Sequence, residues 1–169
     1  FLKNGFPTTK DEEWKYTSLK KIVSKEYFIE KKGGIIDEST IEKYSLGFEN
    51  KIIFSDGKLI KTPKINGVSI SGFSNFKSNS NNSILQLNTA LAKNGFTISI
   101  DKNIVLENPV EILFFITSKN NFSQYRNLIS VGDHSEVKFV EKIQNLDSSI
   151  SMVNHFTQIH CAENTNIEY

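Results

Sequence analysis

The chain of 169 residues contains a single cysteine and a single arginine, and each of these low counts excludes or disfavours particular classes of function. Cys161 has no second thiol to pair with, which excludes an internal disulfide and a cysteine-based zinc ribbon. Every basic residue except Arg126 is a lysine, whereas base readout and phosphate clamping favour the forked guanidinium group of arginine. We therefore expect a reducing compartment and a partner other than nucleic acid.

Long hydrophobic runs and an excess of one charge are also missing. The longest apolar run, residues 112–116, has the length of a strand and is far below the ~18 residues of a membrane span. Residues 1–5 lack the hydrophobic region of a signal peptide. The net charge is +1, so the chain as a whole offers no basic field to nucleic acid. These features predict a cytoplasmic protein that binds neither a membrane nor nucleic acid.

Residues 1–48 are predicted to form an N-terminal helical region. Thr9 and Glu12 have the spacing of a capping box, which favours a helix that begins there. A second short helix is expected from Ser39 to Tyr44, before Gly47. The side chains expected to share the buried side of the first helix are Leu19, Ile22, Val23 and Tyr27.

Residues 49–83 are predicted to hold a hairpin and a loop rich in Ser and Asn. Two strand-like segments, 51–55 and 58–61, flank Asp56-Gly57, and both positions of such a turn favour positive φ. Residues 71–83 hold little to bury, and their Ser and Asn side chains compete for backbone hydrogen bonds. That segment is interpreted as an exposed loop and a candidate linker.

Residues 84–169 are predicted to start with a short helix and to continue as strands. The helix is expected over residues 85–92, closed by Asn94-Gly95. After Phe96 the helical period is absent, and β-branched and aromatic residues dominate. The expected strands are 97–100, 110–116, 125–131, 136–143, 152–161 and 166–169.

A weak internal repeat connects the last strands. Residues 131–139 match residues 161–169 in residue class, position by position, at an offset of 30. A similar polar corner at 100–104 lies about one period earlier, and recurring corners are typical of stacked repeats. An antiparallel sandwich produces the same local pattern, so both architectures stay open, with the solenoid favoured. The inward pairs that a β-solenoid would stack are Val137 with Ile167 and Phe139 with Tyr169.

The residue types that carry chemistry do not form a recognisable site. His155, His160 and Cys161 lie on one predicted strand, where alternation directs His160 away from the other two. Residues six apart on a strand are separated by ~20 Å, too far to bind one ion. We interpret these residues as two ordinary polar histidines and a buried thiol, and His134 as a solvated corner residue. No phosphate loop, nucleophile elbow or zinc-protease motif occurs, so no catalytic, cofactor-binding or metal-binding residue is assigned.

Three parts of the chain nevertheless resemble a known family. Residues 5–19, GFPTTKDEEWKYTSL, resemble the signature near the start of the SufD proteins of the SUF iron–sulfur cluster assembly system. Residues 87–91, LNTAL, and 95–112 are similar to the entry into the family's solenoid, and residues 125–137 resemble its Arg-containing strand and the corner that follows. The first motif is specific, whereas the other two are shared with the paralogous SufB proteins. The resemblance covers most of the chain and is weakest over 30–80.

The resemblance implies a right-handed parallel β-helix, begun by residues 84–169, behind a short helical or α+β N-terminal region. It also implies a non-catalytic scaffold subunit that acts with a SufB-like paralogue and a SufC-like ATPase. The family's SufC-binding helices and its cluster-related histidine lie nearer the C-terminus of the full protein. The chain is therefore expected to be an N-terminal fragment that meets an iron–sulfur cluster only through the full complex. Its open solenoid edge is expected to pair with another copy.

Two alternatives belong to other classes of protein. A β-solenoid carbohydrate-active enzyme would need clustered carboxylates, or a Lys/Arg pair, on one face. A small-molecule-binding β module of the cupin or jelly-roll type would need His and Glu ligands that converge in a barrel mouth. The direction of the strands over 97–169 distinguishes the solenoid from the barrel and sandwich architectures.

Overall fold

The computed structural model describes residues 1–29, 33–74, 76 and 80–169, and its fold is mainly β with short helices. The helices are α1 (Lys20–Val23), α2 (Glu38–Tyr44) and α3 (Ser83–Leu91), and a 3-10 turn covers Glu12–Trp14. The strands are β1 (Asn50–Ser55), β2 (Lys58–Lys61), β3 (Val68–Gly72), β4 (Phe96–Ile100), β5 (Val110–Ile116), β6 (Phe122–Val131), β7 (Glu136–Asn145), β8 (Met152–Cys161) and β9 (Asn166–Glu168).

From β4 onward, successive strands alternate between two mixed sheets. The five-stranded sheet has the order β2-β1-β5-β7-β9, and the four-stranded sheet has the order β3-β4-β6-β8. The neighbours among β4 to β9 are parallel, and the antiparallel pairs are β1 with β2 and β3 with β4. The antiparallel sandwich that the sequence left open therefore does not describe strands β4 to β9.

The repeat offset is confirmed by the strand register. The residues paired at that offset include Val131 with Cys161 and Val137 with Ile167. The rings of Phe139 and Tyr169 also meet, with centroids 5.8 Å apart. The pairs that a solenoid was expected to stack therefore meet, with Val137 and Ile167 on neighbouring strands and Tyr169 directly after β9.

The polar corners of the repeat also lie one above the next. The backbone N–H of Asn103 donates to the carbonyl of Asp133 at 2.8 Å, and that of His134 donates to the carbonyl of Glu163 at 3.0 Å. Each corner has one residue at positive φ, and these are Asn103 (62°), His134 (57°) and Asn164 (54°). Since asparagine and histidine tolerate this conformation better than most residues, the corners favour one sharp turn per repeat.

The core lies between the two sheets and is rich in aromatic rings. Phe54 on β1 is the register partner of Phe114 on β5, and their rings stack with centroids 4.7 Å apart. Tyr125 from the opposite sheet meets Phe114 edge-on, with centroids 4.5 Å apart. Such pairs contribute about 0.5–1.5 kcal/mol each beyond their buried area.

Strand β5 is buried along its whole length because α2 covers its outer face. Ile41 of α2 packs with Leu113 and Phe115, and the backbone N–H of Leu46 donates to Oε1 of Glu111 at 2.7 Å. A strand with one face in water would alternate between apolar and polar residues. The uninterrupted apolar run within β5 reflects burial on both faces.

The predicted hairpin and the second and third helices are confirmed. Asp56 and Gly57 join β1 to β2 with φ angles of 42° and 91°, as a turn with two left-handed positions requires. The helix α2 begins one residue before the predicted start, where Oδ1 of Asp37 accepts a hydrogen bond from the backbone N–H of Thr40 at 2.7 Å. The helix α3 lies within two residues of the predicted bounds.

Strand β3 was not predicted. It pairs antiparallel with β4, from Val68 opposite Ile100 to Gly72 opposite Phe96. Its Val-Ser-Ile-Ser alternation is typical of a strand. The Ser and Asn residues that follow it favoured the prediction of a loop instead. Two residues of the expected loop over 71–83 thus belong to β3, and positions 75 and 77–79 lie outside the described residues.

The prediction for the first helix is wrong. Asp11, not Thr9, precedes the 3-10 turn, and its carboxylate accepts hydrogen bonds from the backbone N–H and hydroxyl of Thr8 at 2.7 and 3.1 Å. The helix α1 is only four residues long and buries none of its side chains. Ile22, expected on a buried side, is 39% exposed, because a single helical turn presents too little apolar surface to dock on the sheets.

Candidate functional site

The candidate ligands named from the sequence have different surroundings. His134 occupies a corner, and His160 hydrogen-bonds Gln158, with Nε2 to Nε2 at 2.9 Å. Cys161 was expected to be buried, and that expectation is wrong, because its side chain is exposed. In the described residues β8 has a neighbouring strand on one side only, so no further strand covers the thiol.

His155 is the histidine that enters the space between the sheets. It is the register partner of Tyr125, and its ring lies edge-on to Phe114 and Tyr125, with centroids 4.4 and 4.5 Å away. Its Nδ1 lies 2.7 Å from Oε1 of Glu141 on β7, and the hydroxyl of Tyr169 donates to Oε2 of Glu141 at 2.5 Å. Glu141, His155 and Tyr169 are called the Glu141 cluster below.

Burial and hydrogen bonding act in opposite directions on the Glu141 cluster. Burial alone would raise the pKa of Glu141, but the hydrogen bonds and the charge of His155, together with the Tyr169 hydroxyl, hold that pKa below its ordinary value. The pKa of Tyr169 is raised, first by burial and then by the Glu141 carboxylate. Tyr169 therefore remains a hydrogen-bond donor to Glu141 across the physiological range.

The Glu141 cluster holds the core together but lacks the parts of a catalytic triad. A carboxylate at Nδ1 fixes the imidazole orientation, as it does in triads and around metal-bound histidines. The Nε2 atom of His155 is buried and has no hydrogen-bond partner among the described residues, so no hydroxyl or thiol nucleophile is held there. The sequence did not reveal this cluster, because its members lie on different strands.

A second polar network joins helix α3 to the four-stranded sheet. The side-chain amide of Asn88, which is fully buried, donates to the carbonyls of Tyr125 on β6 and Asn154 on β8 at 2.8 and 3.0 Å. The Nη1 group of Arg126 donates to the Asn88 side-chain oxygen at 3.2 Å and to the Thr89 hydroxyl at 3.0 Å. These five residues are called the α3 network.

Aromatic rings and a glycine complete the surroundings of the α3 network. The guanidinium carbon of Arg126 lies 4.5 Å from the ring centroid of Phe76 and 4.7 Å from that of Phe156, within cation–π range. Gly95 has φ of +145°, and a Cβ there would lie 2.1 Å from the carbonyl oxygen of Arg126. Arg126 is 1% exposed, so its guanidinium group binds within the fold.

Two surface grooves lie away from both networks, whereas a third, of about 190 Å³, is lined in part by Thr89 of the α3 network. One, of about 340 Å³, is lined in part by Pro7, Trp14 and Asn82. Another, of about 480 Å³, lies along residues 62–70. Neither is lined by a member of the Glu141 cluster or of the α3 network, so neither brings these polar groups to a ligand.

Comparisons with known proteins leave the function to be argued from these contacts. The chain matches no family model and no curated protein. In the part of the chain that the structure describes, no three His, Cys, Asp or Glu side chains are grouped as metal ligands. The helices among the same residues are too short or too polar to cross a membrane.

Replacing Asn88 tests the α3 network. We expect Asn88→Ala to lower the free energy of unfolding by about 3 kcal/mol, because two buried carbonyls and Arg126 each lose a partner. Urea denaturation monitored by tryptophan fluorescence and circular dichroism measures the change. The exposed Asn81→Ala variant is the control and is expected to stay within about 0.5 kcal/mol of the parent. Equal stability of the two variants would contradict the assigned role.

Replacing Glu141 tests the pH dependence. Because the folded pKa of Glu141 lies below its ordinary value of 4.5, its contribution to stability is present above that value and is lost as the pH falls through the folded pKa. Glu141→Gln should therefore flatten the fall in the urea midpoint between roughly pH 5 and 3. The exposed Glu163→Gln variant removes the same charge and should retain the parent's slope. Parallel profiles for the parent and Glu141→Gln would refute the prediction.

Proposed function

We propose that this chain forms the first coils of a right-handed parallel β-helix in a non-catalytic scaffold subunit of the SufB/SufD type. In this proposal it works in iron–sulfur cluster assembly with a SufB-like paralogue and a SufC-like ATPase. Support for the architecture comes from strands that alternate between two sheets, with parallel neighbours at offsets of 29 to 31 residues. A chain that winds in one direction around a core produces this connectivity.

One contact carries the proposal. Asn88 belongs to the LNTAL segment and Arg126 to the YRNLI segment, the two that resemble the family's entry into its solenoid. Their side chains hydrogen-bond across 38 residues of sequence and hold α3 over two successive coils. The two resembling segments thus contribute side chains that hydrogen-bond to each other in the fold. Such a contact would be unexpected if the two short sequence matches were unrelated.

The surface supports a role in assembly rather than catalysis. Tyr16, in the most specific of the resembling segments, is 92% exposed and available to a partner. Cys161 is an exposed free thiol, which favours the reducing cytoplasm over an oxidising compartment. The carboxylate of the Glu141 cluster and the amide and guanidinium groups of the α3 network bind neighbouring side chains or the backbone, as expected of groups that stabilise a scaffold.

Copurification tests the proposed partners. The protein that contains this chain is produced with the SufB and SufC counterparts of its own organism and is captured through a tag on the SufB counterpart. We expect one complex that contains all three proteins, because a scaffold subunit acts by holding its partners. Asn81→Ala should be retained in the complex and Asn88→Ala should be depleted in proportion to its lost stability. Elution of the parent protein apart from both partners would contradict the proposal.

Self-association through the open edge is the second part of the proposal. In the described residues, β8 pairs with β6 on one side and with no strand on the other. Its ten residues include no Lys, Arg, Asp, Glu or Pro, which are the residues that usually protect an edge strand. Two copies of β8 related by a twofold axis are self-complementary, so we take a second copy of the chain as the occupant.

Light scattering after size-exclusion chromatography measures this association. The parent chain should form a dimer whose fraction rises with concentration. Gln158→Lys places a charge on the edge strand and should shift the equilibrium toward the monomer, because a lysine on an edge strand opposes its pairing with another chain. Asn66→Lys adds the same charge to an exposed position between β2 and β3 and should dimerise as the parent does. A parent that stays monomeric at the highest accessible concentration would contradict edge pairing.

A further inference from the structure

Gln124 is the buried side chain of which both polar atoms lack a hydrogen-bond partner among the described residues. Gln124 on β6 is 3% exposed, and neither its Oε1 nor its Nε2 has a hydrogen-bond partner among the described residues. Folded proteins leave few such groups unbonded, because a buried amide loses its bonds to water without replacement. A ligand that both donates and accepts hydrogen bonds would therefore satisfy the two polar atoms of Gln124.

Gln124 is one of the residues that line a small cavity. The volume available inside is about 10 Å³, close to the space that one water molecule occupies. Asp56, Asn94, Asn121 and Ser123 contribute polar groups to the same cavity, so its lining is not a dry apolar one. An apolar ligand is excluded both by this lining and by the size.

The bonding of Asp56 decides between a water molecule and a cation. Oδ1 of Asp56 accepts from the backbone of Thr117 at 2.8 Å and from Nδ2 of Asn121 at 2.9 Å. Oδ2 accepts from the hydroxyls of Thr117 and Ser118 at 2.5 and 2.7 Å. Both oxygens are thus engaged, and no lone pair needs a metal ion. A cation would also be repelled by the N–H groups of Gln124, whereas water satisfies both ends of that amide.

We propose that this cavity binds a single structural water molecule through the two polar atoms of Gln124. The site lies at a junction in the fold. The backbone N–H of Phe28 donates to the carbonyl of Asn120 at 2.8 Å, and the carbonyl of Phe28 accepts from Phe122 at 2.9 Å. Ile29, next to that junction, also lines the cavity. The water molecule stabilises β6 where the N-terminal segment and the hairpin turn at Asp56 converge on it.

Hydration spectroscopy on the whole chain tests the proposal directly. In the parent protein, the side-chain amide protons of Gln124 should show nuclear Overhauser contacts to water with the sign of a long-lived complex. The half-exposed Gln144 side chain should show only the signature of fast-exchanging solvent. The absence of a long-lived contact at Gln124 would overturn the proposal, and this measurement requires no variant to fold.

A variant pair and a salt exchange complete the test. Gln124→Met removes both polar atoms and should lose one long-lived water molecule, measured by oxygen-17 relaxation dispersion, whereas Gln144→Met should keep it. An unchanged count in a folded Gln124→Met variant would contradict the assignment. Replacing sodium chloride by choline chloride at constant ionic strength should leave the melting temperature of the parent unchanged. A fall in that temperature would identify a bound cation in place of water.

Discussion

The register between parallel strands, with offsets of 29 to 31 residues, is the constraint on which the rest of this structure depends. Val131 lies beside Cys161 and Val137 beside Ile167, so each inward side chain meets its counterpart one repeat later. A slip by one residue would direct Val137 and its inward neighbours to the outside, because side chains alternate along a strand. The corners at Asn103, His134 and Asn164 prevent such a slip, since each turns the chain at the same point of the repeat.

Buried side chains add hydrogen bonds between the stacked strands and the elements that cover them. Asn88 does so over β6 and β8, because its amide donates to a carbonyl of each strand while its oxygen accepts from Arg126. An apolar residue of similar size would remove these buried hydrogen bonds, at a cost of about 1–3 kcal/mol. At the far side of the core, Glu141 and His155 bind each other with side chains only 19% and 15% exposed. Polar residues in this core therefore hold coils together, which explains their presence in an apolar setting.

How much could be predicted from the sequence depends on how local the signal is. The turn at Asp56-Gly57 and the strands β5 and β8 were predictable because each is specified by adjacent residues. The capping box at Thr9 is an equally local signal, but it failed because a competing local contact forms, in which the neighbouring Asp11 engages Thr8. The repeat offset was predictable because it relates residues of the same class. The sequence does not determine whether neighbouring strands are parallel or antiparallel, since both arrangements give the same local pattern.

The polar networks could not have been predicted from spacing. Glu141 and His155 are 14 residues apart on strands of different sheets, and alternation alone states that each points inward, not that they meet. Asn88 and Arg126 are 38 residues apart, on a helix and a strand. Resemblance located both of these residues without stating that they touch.

The outward face of the stack bears on the choice between a scaffold and a solenoid enzyme. An enzyme of that kind would align unpaired carboxylates on successive rungs so that they face a substrate. Here the outward pair on β7 and β9 is Lys138 with Glu168, register partners whose charged atoms lie 3.0 Å apart. The charge of each compensates the other at the surface, where such a pair adds little stability. The outward carboxylate of Glu168 is thus paired with Lys138, and the inner carboxylate of Glu141 is bound by His155 and Tyr169, so neither of these two carboxylates is left without a partner.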